Sequence, residues 1–286
     1  MTLRIAEPWS GVLVGLLAVF LVAALRTMFD AAGAAAATPA PAAPGRVLIV
    51  ADEWEPMEEL AKFLRDPGRY TVQSVEQKLL PADLGQYAAV FMYLHGKMTH
   101  PTERALVEYA AAGGRLVILH HGIASARVAN PAWLAMTGIH IAPPSDPEAP
   151  WRVIHNITHT LVNLNPRHYI TTHNVTYERT VEYRSSDAPS RPAKLPATDL
   201  TDTEVFLNQQ FTDGRAKTVL LGMHCVDPKT KQPIMQDRSG WYKPFGKGWV
   251  FYFQPGHAAS DFRHRGYCQM IWNCLTWRPD MGPTGD

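Results

Sequence analysis

Ala110-Ala-Ala-Gly-Gly-Arg-Leu-Val-Ile-Leu-His-His-Gly-Ile123 carries the sharpest structural signal in the chain. Leu116 to Leu119 is a short apolar run with the length and composition of a strand buried on both faces. Gly113 and Gly114 precede it and end the amphipathic segment before them, because glycine takes the left-handed cap conformation at little cost. His120, His121 and Gly122 therefore fall where the strand leaves its sheet. In open α/β sheets ligands bind at that carboxyl edge, so two adjacent imidazoles there are the first chemical clue.

Working outward, Arg46 to Ala51 reads as a first, fully apolar strand, with Asp52 and Glu53 at its carboxyl edge. A helix is predicted over 56–64, opened by Pro56 in the first turn with acids near the positive end of its dipole. Strands follow at 70–75 and 88–93, then a helix over 101–112 with Thr99 or His100 near its cap. This order predicts a three-layer α/β sandwich with a mostly parallel central sheet and helices on both faces. Beyond Gly122 the pattern predicts a short helix from Asn130 to Met136 and loop from Gly138 to Pro150. It then gives an exposed loop from Ser185 to Pro196, a strand over 217–225 and a polar excursion over 227–240. A strand over 248–254 puts Gly256 and His257 at its edge, and a closing amphipathic helix covers 263–277.

The 286 residues suit one core and a tail, and the formal net charge of +1 gives no electrostatic footprint for nucleic acid. The three cysteines, Cys225, Cys268 and Cys274, have no metal-type spacing and read as small buried apolar residues.

The N-terminus is the other distinct region. Gly11 to Leu25 is free of charge but spans only ~22 Å as a helix, short of the ~30 Å hydrocarbon core. Extended from Trp9 to Phe29 it reaches ~31 Å, with Trp9 at the interface and Arg26 able to snorkel. The segment is a cleaved signal peptide or an uncleaved anchor; we take the anchor as the expectation. Residues 9–29 would then contact membrane lipid as one transmembrane helix of a single-pass protein of a bacterial inner membrane, its bulk in the periplasm. Ala31 to Pro44, alanine with Pro39, Pro41 and Pro44, reads as a semi-rigid linker. The expected organisation is an anchor over 1–30, a linker over 31–45, an α/β domain over 46–279 and a tail over 280–286.

The stretches AAGGRLVILHHG (111–122) and FGKGWVFYFQPGH (245–257) resemble the ThuA-like, or trehalose-utilisation, family. The resemblance runs from about Arg46 to Arg278. It implies a class I glutamine amidotransferase-like fold and chemistry on a carbohydrate of the trehalose or keto-sugar kind. TDTEVF (201–206) looks like a weaker copy of the family's Asp-Glu-hydrophobic-Tyr segment, and His159 matches a family histidine with Thr160 in place of proline. Asp52-Glu53-Trp54-Glu55 stands where several members carry a histidine. Amidotransferases place a nucleophilic cysteine at the strand–loop junction; His120 and His121 stand there instead, which sets glutaminase chemistry aside.

Of the twelve histidines, His120 and His257 are singled out because both terminate core strands on the ligand-binding edge. A histidine there can move a proton near neutral pH or ligate a metal. Side-chain alternation predicts that only one of His120 and His121 faces the cleft. Glu204 is the candidate carboxylate, on a segment polar enough to face solvent. His155 and His159 are four apart on an expected strand rather than on one helical face. His95, His100, His140, His168, His173 and His224 read as structural. The candidate catalytic set is thus His120, His257 and Glu204, and a divalent metal is compatible with it. The function expected is an accessory subunit of a respiratory or photosynthetic membrane complex, contacting its other subunits; the alternative is a carbohydrate-processing enzyme with a sugar ligand.

Overall fold

The computed structural model describes residues 45–65, 70–123, 130–187 and 191–282, without the Arg215 side chain. The elements in chain order are β1 (Gly45–Ala51), α1 (Glu55–Leu64), β2 (Tyr70–Val75), β3 (Ala89–Tyr93), α2 (His100–Ala112) and β4 (Arg115–Leu119). Then come α3 (Pro131–Thr137), β5 (Ile139–His140), β6 (Arg152–Asn163), α4 (Tyr169–Thr172), β7 (Arg179–Tyr183) and β8 (Ala193–Leu207). The chain finishes with β9 (Gln210–Phe211), β10 (Thr218–Val226), β11 (Pro233–Phe245), β12 (Gly248–Phe253), α5 (Ala259–Arg263) and α6 (Arg265–Thr276). Residues 9–29, where the anchor is expected, lie outside the described residues; among those described, no helix is long and apolar enough to cross a membrane.

Alternation along the apolar strands explains the layering. In β1, Val47, Ile49 and Ala51 point into one core and Leu48 and Val50 into the other. The first core takes Met57, Leu60 and Leu64 of α1 with Met270 and Ile271 of α6. The second takes Leu106 and Tyr109 of α2 with Trp133 and Met136 of α3. A strand wedged between two such layers has no solvent face, hence its continuous apolar run. The N-cap of α2 is Thr99, whose side chain accepts from the Thr102 amide. Gly113, at φ 125°, ends the helix in a conformation that suits glycine.

The sheet is mixed, not mostly parallel. Among the described residues it has ten strands in the order β2-β1-β3-β4-β12-β11-β10-β6-β8-β7. Pairing is parallel from β2 to β12 and antiparallel from β12 to β7. Much of the expected excursion at 227–240 is in fact β11, inserted between β10 and β12. Its buried Asp237 accepts hydrogen bonds from Tyr183 Oη (2.8 Å) and the Ser186 amide (3.3 Å), so internal pairing lets a polar sequence lie in the sheet. β8 likewise begins inside the expected 185–196 loop. The predicted closing helix is two, broken at His264, whose ring Nδ1 caps α6 by accepting from the Tyr267 amide at 3.1 Å.

Candidate functional site

β4 does not run on past Leu119. His120 turns into a short 3₁₀ segment, His120–Ile123, with φ 43°, a left-handed value rare for a side chain larger than glycine. That turn undoes the expected alternation, and both His120 and His121 face the same cleft. Gly122 makes it possible: a Cβ there would lie 2.6 Å from Met92 Sδ and 3.1 Å from the Met92 carbonyl oxygen. The Trp133 indole donates to the Gly122 carbonyl (3.2 Å), pinning the turn to α3.

Glu204 is buried, 3% exposed, contrary to the solvent-facing expectation. Two irregularities between β6 and β8 account for this. Ile154 pairs with Val205 and Ile157 with Thr203, so His155 and Asn156 together oppose Glu204 alone, with Asn156 at φ 52°. One step on, Thr201 and Asp202 oppose Thr158, with Asp202 at φ 54°. Bulges of this kind re-aim side chains, and here they turn Glu204 inward with His155 against it.

Four imidazoles surround that carboxylate. His120 Nε2 and His121 Nε2 lie 3.6 and 3.7 Å from Oε1, while His155 Nδ1 and His257 Nδ1 lie 2.6 and 3.4 Å from Oε2. His95, expected to be merely structural, stacks on His121 with ring centroids 4.3 Å apart, and its Nδ1 sits 3.0 Å from Glu53. His120 is wholly buried; its ring stacks on Phe206 at 4.6 Å, and its Nδ1 contacts the Gln254 carbonyl oxygen at 2.6 Å. A carbonyl only accepts, so Nδ1 carries the proton and the neutral ring leaves Nε2 as a bare lone pair.

Burial, then the neighbouring His121, pushes the affinity of His120 for a second proton well below the ordinary histidine value. Burial, then His95, takes His121 down to about 3. Burial pushes the Glu204 carboxyl up, against the pull of His257 and His155. His120 and His121 therefore stand as neutral imidazoles beside that carboxyl group. The polar atoms of the cleft are not all paired with protein: His120 Nε2, His121 Nδ1 and His257 Nδ1 are buried without a hydrogen-bond partner.

Two groups that sequence reading missed hold this arrangement. The Asp261 carboxylate, 1% exposed, accepts from Thr203 Oγ1 (2.7 Å) and the Gly256 amide (3.0 Å), tying the residue before Glu204 to the residue before His257. The Gln254 amide bridges to Phe206, accepting from its N–H and donating to its carbonyl, both at 3.1 Å. Only the position of Gln254 inside FYFQPGH hinted at it; Asp261 gave no sequence signal. His159 points elsewhere, its Nε2 2.7 Å from Ser239 Oγ, and stays a buried structural residue. One ligand atom each from His120, His121, Glu204 and His257 lie within 4.8 Å of one another, so these residues could hold a metal ion. Cys225, Cys268 and Cys274 are buried, unpaired and outside the cluster.

The fold and site thus define an α/β domain with a histidine–carboxylate cleft at the carboxyl edge of its sheet. A family model described as "ThuA: Trehalose utilisation" matches residues 46–278, and the chain belongs to that family. A solved ThuA-like protein from Parabacteroides merdae is similar at TM-score 0.59 and 15% identity, over 85% of this chain and 92% of that one. Another from Bacteroides uniformis gives TM-score 0.55 and 15% identity, over 86% and 98%. A β-galactosidase from Bacillus circulans sp. alkalophilus shares the fold at TM-score 0.50 and 11% identity, over 82% of this chain and 31% of that one. No curated protein sequence matches the chain.

Proposed function

We propose that this ThuA-family domain is an enzyme that processes a carbohydrate in the cleft around Glu204, and that residues 9–29 tether it to a bacterial inner membrane with its bulk in the periplasm. One observation carries the reading: four imidazoles from three separate parts of the sheet converge on one buried carboxyl group. Burying unpartnered polar atoms costs about 1–3 kcal/mol each, and a purely structural domain gains nothing by keeping them. The carbohydrate comes from the family's description, trehalose utilisation. The cleft supplies what sugar chemistry needs, namely a carboxyl group to move a proton and imidazole nitrogens to hold a hydroxyl in place.

The test is turnover of trehalose and its keto derivatives by the purified full-length protein. Glu204→Gln, nearly isosteric, should lower kcat by about 10²-fold or more, in the range typical of general acid–base groups. His257→Ala should do likewise at a stability cost within ~1 kcal/mol, since that side chain is 36% exposed. Turnover unchanged in Glu204→Gln would remove the cleft from the chemistry. The other reading, an accessory subunit of a respiratory or photosynthetic complex, is favoured by the apolar run, the Ala/Pro linker and the departures from the family pattern at 52–55 and around Glu204. It expects deletion of residues 1–30 to release the domain from co-purifying subunits and Glu204→Gln to leave that association intact.

A further inference from the structure

We infer that the cluster is a binding site for one borderline divalent transition-metal ion, of the Zn²⁺, Co²⁺ or Fe²⁺ class, held by His120 Nε2, His121, His257 Nδ1 and Glu204. This rests on the proposed function only in that it concerns the same cleft; the argument is geometric.

The first ground is a gap of the wrong length for a hydrogen bond. His120 Nε2 and His121 Nε2 stand 3.6 and 3.7 Å from Glu204 Oε1, and His257 Nδ1 stands 3.4 Å from Oε2. Hydrogen bonds to a carboxylate are shorter, about 2.7–2.9 Å. Donor atoms around one ion at bonds of about 2.0–2.1 Å are separated by about 3.3–3.4 Å in a tetrahedral shell. The three imidazole–carboxylate spacings match ligands about a common centre within a few tenths of an ångström, and the four ligand atoms together lie within 4.8 Å of one another, close enough to converge on one ion.

The second ground is the locked tautomer. With Nδ1 donating to the Gln254 carbonyl at 2.6 Å, His120 presents a lone pair to an oxygen that also carries lone pairs. Two such lone pairs need a proton or a metal ion between them, and 3.6 Å is too long for a direct hydrogen bond through a proton. A ring N–H donating to a backbone carbonyl, which leaves the opposite nitrogen's lone pair free, is the arrangement that outer partners impose on metal-bound histidine. His120 is 0% exposed and its Nε2 has no partner, and His257 Nδ1 is orphaned as well.

The third ground is rigidity. The donors come from the end of β4, from β8 and from the end of β12, and the Gln254 and Asp261 side chains join these segments to one another. Sites that hold metal need this supporting shell to fix their ligands. Three imidazoles and a carboxylate, with no thiolate in the set, select borderline divalent ions over Ca²⁺, Mg²⁺ or Cu(I). His155, 61% exposed and in contact with Oε2, stands at the mouth of the site, where an ion can enter.

The test uses full-length protein purified in detergent, stripped with chelator and titrated with Co²⁺, then with Zn²⁺ in competition. We expect one equivalent of Co²⁺, visible d–d absorption of a four- or five-coordinate centre, displacement by Zn²⁺ and a rise in Tm with either ion. Glu204→Gln and His257→Ala should each weaken Co²⁺ binding at least tenfold. His224→Ala, a change in β10 outside the cluster, should not. If His257→Ala fails to fold, the near-isosteric Glu204→Gln still decides. Binding well below one equivalent, or affinity unchanged in Glu204→Gln, overturns the inference. Sugar turnover by stripped protein that binds no ion would sink the metal and spare the enzyme; stoichiometric ion binding without turnover of any sugar would do the reverse.

Discussion

Glu103→Ala should cost far more than its place on a surface helix suggests. Glu103 lies in α2 yet is only 5% exposed, and it serves α3. Its Oε1 accepts from the Trp133 backbone N–H at 2.9 Å and its Oε2 from the Asn130 side-chain amide at 2.9 Å, so one carboxylate satisfies the start of the next helix. The His100 contact at 3.3 Å is with a largely exposed ring and adds little. Hydrogen bonds to a charged group are worth about 1.5–3 kcal/mol each, so losing the two buried ones should cost about 3 kcal/mol or more. In a domain of this size that corresponds to a Tm lower by about 6–12 °C. Glu103→Gln keeps one acceptor and should lose roughly half as much. Burial alone would push this carboxyl up, but Asn130, Trp133 and His100 outweigh it and hold it below its ordinary value. A carboxyl depressed in the folded state stabilises above its unfolded value and loses that contribution as pH falls through the folded one. The stability gap between wild type and Glu103→Gln should therefore close as pH drops below about 4.5. Urea unfolding followed by tryptophan fluorescence at several pH values reads both effects. A Tm loss under about 3 °C for Glu103→Ala, or a gap that ignores pH, would refute the reasoning.

Asp227 should confer acid resistance: Arg152 Nη2 at 2.8 Å and the Lys229 and Thr230 amides hold its carboxyl down to about 2. Its contribution is present above the unfolded carboxylate value and is lost as pH falls towards 2; Arg152→Ala should move the acid-unfolding midpoint to higher pH, and an unmoved midpoint would count against the pairing. Gly122→Ala should destabilise by about 1–3 kcal/mol, because the added methyl meets the Met92 carbonyl as well as movable side chains; an unchanged urea midpoint would show that the His120 turn is not that tightly packed. If residues 9–29 are an uncleaved anchor, mature protein keeps its N-terminus and resists carbonate extraction; a mature N-terminus between Ala31 and Ala43 by mass spectrometry would identify a cleaved leader instead.

The parallel half of the sheet was legible because β1, β3 and β4 are continuous apolar runs, which sandwiched strands must be. The antiparallel half was not, because β11 carries Asp237 and Ser239 inward, and what makes them tolerable is partners distant in sequence, Tyr183 and His159. The same division runs through the site. His120 and His257 could be found as the ends of apolar strands. Glu204 was named through the family resemblance of TDTEVF, but its inward aim and the parts played by His121 and His155 could not be read, since left-handed residues at His120, Asn156 and Asp202 override the alternation that assigns side chains to faces. His95 was passed over for a similar reason: its partner is a ring brought to it by the His120 turn.

β12, the last strand in the chain, occupies the middle of the sheet, between β4 and β11. During synthesis β4 must therefore wait, with one edge of its backbone hydrogen-bonding groups unpaired, until residues 248–253 have emerged. An exposed apolar edge of that kind invites pairing with the wrong strand, and closing it late makes folding slow and dependent on distant contacts. The order also delays assembly of the histidine–carboxylate cluster. His120 and His121 are made early, but Glu204 and His257 reach them only once the domain is almost complete, so no fragment ending before residue 257 can assemble the full cluster. A chain that crosses a membrane before folding would carry its donors through unassembled and form them into a site on the far side.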